Sequence, residues 1–152
     1  MSTDTEDPNR PLRVPDFWSV KYNYSYGRLS RFFRELKENS RLMGTRCPKC
    51  GRINCAPRPD CRYCFVPAEW IEVAQTGTVL TCAVVHEAVS DYHGPTPYAV
   101  AQVNLDGTHS AIMQIVRGIE PEKVHVGMRV KARFKEEREG RITDFEFVPV
   151  EA

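Results

Sequence analysis

Two Cys-x-x-Cys pairs separated by ten residues, Cys47-Pro-Lys-Cys50 and Cys61-Arg-Tyr-Cys64, constrain this chain more than any other feature. One such pair places two sulfurs on one side of an ion, and a second pair closes the tetrahedron from the other. Four thiolates leave no position for water, so the spacing predicts a structural zinc site rather than a catalytic one. Gly51, directly after Cys50, suits the tight turn of a metal knuckle, where a positive φ is often required. The alternatives are a disulfide framework and a redox Cys-x-x-Cys. Residues 1–10 are polar and acidic with no apolar leader, and no apolar run approaches the ~18 residues that span a bilayer. The expected compartment is therefore cytoplasmic, with no membrane contact and with reduced thiols. A redox motif wants one pair at a helix start near a βαβ unit, whereas here two pairs lie in a Pro- and Arg-rich loop.

Two cysteines stand outside the pairs. Cys55, in Ile53-Asn54-Cys55-Ala56-Pro57, belongs to neither knuckle and is the weaker candidate for a ligand. Cys82 lies in the apolar run from Val79 to Val85, where a thiol serves as a small buried hydrophobe. No phosphate-binding glycine loop, nucleophile elbow or His-Glu-x-x-His motif occurs, and His86, His93, His109 and His125 are scattered.

The formal charge of +1 conceals an asymmetry. From Arg28 to Arg62 ten basic residues face three acidic ones, a net +7, while the remainder has eleven against seventeen, a net −6. A basic patch of this kind attracts phosphates or an acidic protein surface, although part of it also offsets the negative charge of a four-thiolate zinc cluster.

Residues 1–26 read as an extended arm carrying Phe17, Trp18, Tyr22, Tyr24 and Tyr26. So many amphipathic rings outside a regular core suit a segment laid across another surface, either a partner's or the chain's own. Residues 27–41 hold an amphipathic helix: Leu29, Phe32, Phe33 and Leu36 fall at i, i+3, i+4 and i+7. A helix this short must dock its stripe, which makes Phe32 and Phe33 candidate partner contacts. Residues 42–68 form the metal ribbon. Residues 69–152 alternate with period two in about five strands separated by turn signals such as Asp106-Gly107. The expected fold is mainly β: an N-terminal helix, a rubredoxin-like zinc ribbon, then a five-stranded oligonucleotide/oligosaccharide-binding (OB) barrel. Tyr92-His93-Gly94-Pro95 joins two barrel strands, and with Tyr98 it is the best candidate for a ligand-binding loop at the barrel mouth.

The order of a helix, a Gly-Thr-Arg-Cys-Pro-Lys-Cys-Gly ribbon, an Ala-Pro-Arg-Pro-Asp-Cys-Arg-Tyr-Cys second knuckle, and a barrel with Pro-Tyr-Ala-Val-Ala-Gln-Val and Val-Gly-Met-Arg-Val-Lys-Ala resembles the small zinc-ribbon/OB-fold proteins that accompany thiolases and related acyl-CoA enzymes. The aromatic arm looks most like that of a small thiolase subunit in bacterial aromatic-compound breakdown. The resemblance implies a hetero-oligomer with a thiolase-fold subunit that supplies the catalytic groups, while this chain supports assembly and helps enclose CoA or acyl-CoA. It implies zinc ligation by Cys47, Cys50, Cys61 and Cys64 and no ligand role for Cys55. It also makes Arg41, Arg46, Lys49 and Arg52 candidates for CoA phosphates, because guanidinium holds phosphate in a bidentate geometry. Two other functions remain in view. A nucleic-acid module needs exposed rings interleaved with cations on the barrel, but the barrel end carries Glu136, Glu137, Glu139, Asp144 and Glu146. A stand-alone acyl-CoA binder gains little from displaying five rings.

Overall fold

The structure, a computed structural model, describes residues 11, 13–15, 20, 22–87 and 94–150. A 3-10 turn over Gly27–Leu29 leads into α1 (Ser30–Asn39), which ends at Ser40 in a left-handed conformation (φ 51°). The predicted stripe does dock. Phe32 and Leu36 are buried, and Leu29 and Phe33 are half-buried. Each of the two buried side chains contributes on the order of 1.5–3 kcal/mol through area removed from water. Arg28 donates to Asp60 Oδ1 at 3.0 Å and to the Pro59 carbonyl at 3.2 Å, which ties the start of the helix to the second half of the ribbon.

The ribbon sheet contains β1 (Met43–Arg46), β2 (Ile53–Asn54) and β3 (Glu69–Glu72), in the order β2-β1-β3 with antiparallel pairing throughout. Trp70 and Ile71, read in the sequence as the first alternating barrel segment, therefore pair with β1: Thr45 faces Trp70 and Gly44 faces Ile71.

Five strands close the barrel: β4 (Thr76–Val85), β5 (Tyr98–Leu105), β6 (Ala111–Val116), β7 (Arg129–Phe134) and β8 (Phe145–Pro149), in the spatial order β4-β5-β6-β8-β7. β4 pairs with both β5 and β7, and a parallel contact at Val116–Phe147 joins β6 to β8. This is the five-stranded OB arrangement. Closure depends on Gly77, which faces Leu105 on one side and Val130 on the other. A Cβ there would lie 2.5 Å from the Asn104 carbonyl oxygen, so only glycine allows this approach. The inward residues of β5 (Ala99, Ala101, Val103, Leu105) meet Val79, Val130, Phe145 and Phe147 in the centre.

Ribbon and barrel share that core. Leu42, Met43, Cys55 and Val73 are buried in the same cluster as the barrel's valines and phenylalanines. Backbone pairing reinforces the junction: His109 donates its N–H to the Ile53 carbonyl at 2.7 Å, and Ile53 donates its own to His109 Nδ1 at 3.1 Å. Cys55 N–H donates to Ser110 Oγ, which in turn donates to the Cys55 carbonyl, both at 3.0 Å. Among the described residues, no helix is long and apolar enough to cross a membrane.

Candidate metal centre

The two knuckles repeat the same backbone pattern. In the first, Cys47 N–H donates to the Arg52 carbonyl and Gly51 N–H to the Cys47 carbonyl, both at 2.9 Å. In the second, Cys61 N–H donates to the Val66 carbonyl at 2.9 Å and Phe65 N–H to the Cys61 carbonyl at 2.8 Å. Each loop thus curls around its first cysteine and aims free backbone N–H groups at sulfur, as Cys50 N–H does toward Cys47 Sγ at 3.4 Å. The residue closing each curl has positive φ, 70° at Gly51 and 54° at Phe65.

The Sγ atoms of Cys47, Cys50, Cys61 and Cys64 all lie within 4.8 Å of one another, and no disulfide joins them. Cys50 Sγ and Cys61 Sγ are 3.7 Å apart. Ligands bonded to zinc at ~2.3 Å on tetrahedral vertices are separated by about 3.8 Å, so the donor set and its spacing fit zinc. The backbone N–H groups of Tyr63 and Cys64 favour the thiolate of Cys61 and bring its pKa down to about 6. Burial and the sulfurs of Cys50, Cys47 and Cys61 push the Cys64 thiol up to about 12. Four sulfurs in contact resist ionising together, and a divalent cation at their centre relieves that repulsion.

The remaining cysteines are committed elsewhere. Cys55 is fully buried between ribbon and barrel, and burial pushes its thiol up to about 12, so it is a core residue outside the sulfur cluster. Cys82 packs against the barrel core and directs Sγ at the Val124 carbonyl at 3.4 Å.

The cationic candidates divide into two groups. Arg41 donates to Glu35 at 2.8 Å and to Glu72 at 3.1 Å, and Arg46 lies 3.4 Å from Glu69, so carboxylates engage both guanidiniums. Lys49 and Arg52 are exposed on the first knuckle. Of the expected ligand loop, Tyr92 and His93 lie outside the described residues. Tyr98 is buried on the face of β5 opposite the barrel interior, with the Arg117 guanidinium 5.8 Å from its ring centre.

Of the aromatic partner candidates, Phe17 and Trp18 lie outside the described residues. Tyr22 and Tyr24 are exposed, with ring centres 6.0 Å apart. Tyr26 stacks on Phe33 at 3.7 Å, so the arm's last ring packs on the chain's own helix. Phe32 is 3% exposed and packs in this chain's core, so what it offers a partner is limited to the wall of the apolar cleft that it lines with Leu29 and Phe33. Sequence reasoning did not anticipate the junction residues His109 and Ser110, or Phe65, 86% exposed at the turn of the second knuckle. The aligned motifs Cys-x-x-Cys-Gly and Cys-x-x-Cys-Phe carried the signal for Phe65.

Known proteins resemble this chain along most of its length. Residues 34–69 match the family model described as "ChsH2, rubredoxin-like zinc ribbon domain", and residues 70–135 match "ChsH2, C-terminal OB-fold domain". A "DUF35 domain-containing scaffold protein" of Methanocaldococcus jannaschii is 34% identical over 139 residues, covering 87% of this chain and 98% of that one. A "Probable enoyl-CoA hydratase alpha subunit" of Thermomonospora curvata is 33% identical over 106 residues, which span 65% of this chain and 31% of that longer protein. Among solved structures, a chain of an "Ltp2-ChsH2(DUF35) aldolase" superposes with a TM-score of 0.66 at 27% identity, covering 84% of this chain and 98% of its own length. From its four-sulfur ribbon to its OB barrel, this chain belongs to the DUF35 family of ChsH2-type zinc-ribbon proteins.

Proposed function

We propose that this chain is the non-catalytic, zinc-containing subunit of an acyl-CoA enzyme complex, and that its partner is a thiolase-fold subunit carrying the nucleophile and the acid/base groups. The observation that carries this reading is the near full-length likeness to a chain of the Ltp2-ChsH2(DUF35) aldolase, supported by relatives named as scaffold proteins and as an enoyl-CoA hydratase subunit. The chemistry of the chain agrees. Four of its six thiols are arranged around one metal position, and the other two are packed in or against the core. The zinc is structural: it fixes the ribbon and takes no part in turnover. The apolar surface suits assembly. A cleft of about 230 Å³ opens between α1, the ribbon connector and the barrel, lined by Leu29, Phe33, Pro57, Ile112, Met113 and Ile142 among others. The acyl-CoA is held chiefly by the enzyme subunit, and this chain completes the enclosure.

Co-expression with a thiolase-fold acyl-CoA enzyme encoded beside this chain tests the reading. The expected result is one co-eluting complex by light scattering, about one zinc per copy of this chain, and thioester turnover that needs the larger subunit. Turnover by this chain alone, or a larger subunit whose stability and activity ignore it, would refute the proposal.

A further inference from the structure

The two knuckles differ at the residue that closes the turn. Gly51 adopts its positive φ without strain, whereas Phe65 holds the same backbone bond at φ 54° with a bulky side chain that disfavours it. Packing does not compensate, because the Phe65 ring is 86% exposed. A strained backbone that points an apolar ring into solvent marks a residue kept for contact with something else. Its surroundings identify that contact. Tyr63, 53% exposed, has the guanidiniums of Arg52 and Arg62 against it, their centres 4.7 Å and 4.6 Å from its ring centre. Lys49 and Arg58 are also exposed on the ribbon. The ribbon's three carboxylates are already engaged: Asp60 by Arg28, Glu69 by Arg46 and Glu72 by Arg41. Around the second knuckle the positive charge is therefore not cancelled by the ribbon's own acids.

We propose that the tip of the second knuckle, with Phe65 as anchor and Tyr63, Arg52 and Arg62 beside it, docks an acidic protein face whose apolar recess takes the Phe65 ring. This rests on the subunit reading above and names the surface through which the enzyme partner is engaged. An aromatic anchor rimmed by arginines matches the residue types that dominate binding energy at protein interfaces. Nucleic acid fits the surface less well. Stacking along a strand needs successive open ring faces, and of the two rings here Tyr63 has the guanidiniums of Arg52 and Arg62 packed against it.

The test uses the full-length, zinc-loaded chain and the same thiolase-fold enzyme, with binding measured at low and high salt. Phe65→Gly relieves the strained turn, so the free variant should melt no lower than wild type while binding at least ~30-fold more weakly. Arg52→Glu with Arg62→Glu should slow association and flatten its salt dependence. If wild type binds and Phe65→Gly binds within about twofold of it, the docking inference fails and the subunit reading stands. If wild type does not bind, both fail. A free Phe65→Gly chain that melts lower would refute the strain argument. Oligonucleotide binding that disappears in the same variants would overturn the choice of a protein partner.

Discussion

Ser110→Ala tests whether ribbon and barrel fold as one unit. The Ser110 hydroxyl accepts from Cys55 N–H and donates to the Cys55 carbonyl, both at 3.0 Å, and Cys55 is fully buried. Alanine removes both partners at once and leaves the Cys55 backbone donor and acceptor unpaired in a part-buried junction. An unsatisfied buried polar group costs about 1–3 kcal/mol. Ser110 is itself half-buried, so some water reaches the site and the sum falls toward the lower end, about 2–4 kcal/mol. For a chain of this size that lowers Tm by roughly 5–15 °C. Urea and thermal unfolding of the zinc-loaded protein, followed by a ribbon signal (Trp70 fluorescence in a Trp18→Phe background) and by far-UV dichroism, provide the assay. The expected outcome is a single transition, coincident in both signals and shifted as a whole. A loss below about 0.5 kcal/mol, or a ribbon signal that melts separately while the barrel keeps its wild-type midpoint, would refute the shared-core argument.

Three further outcomes follow from the same structure. Cys61→Ser, or chelation of the wild type, should abolish stoichiometric zinc and deprotect the ribbon amides in hydrogen exchange, because structural zinc supplies on the order of 10 kcal/mol of folding free energy in isolated fingers; a variant that keeps one zinc per chain would show that the site is not a closed four-sulfur one. Arg129, at 2.7 Å from each oxygen, and then the Thr76 hydroxyl hold the Asp106 carboxyl at about 2. A lowered folded pKa stabilises above the unfolded value of ~3.9 and loses that contribution as pH falls toward 2, so wild type should lose Tm more steeply than Asp106→Asn between about pH 4 and 2, and parallel curves would refute the assignment. Leu36→Ala empties a fully buried position beneath α1 and should cost about 3 kcal/mol in chemical denaturation, with a loss under 1 kcal/mol inconsistent with that packing.

The metal site was legible because its information is local. Spacing alone brings two sulfurs to one side of an ion, and the structure draws both knuckles into one cluster. The helix was legible for the same reason, since Phe32 and Leu36 lie one turn apart and both are buried. Pairing was not. Trp70 and Ile71 alternate equally well in either sheet, and only contact with Thr45 and Gly44 assigns them to the ribbon. Charge was legible as a sum but not as a surface: the net +7 says nothing of Arg28 closing on Asp60 or Arg41 on Glu35 and Glu72, partners up to 32 residues away in sequence. The roles of His109 and Ser110 depend on backbone groups 55 and 56 residues upstream, and no periodicity carries that information.

The pooling of Leu42, Met43, Cys55 and Val73 with the barrel interior bears on what happens when the ion is scarce. Without zinc the ribbon's side of the common interior loses its anchor, and greasy side chains from both halves are uncovered together. An unmetallated copy would then be sticky and readily degraded instead of waiting as a spare barrel. Metal supply would thereby set how many copies keep that interior covered.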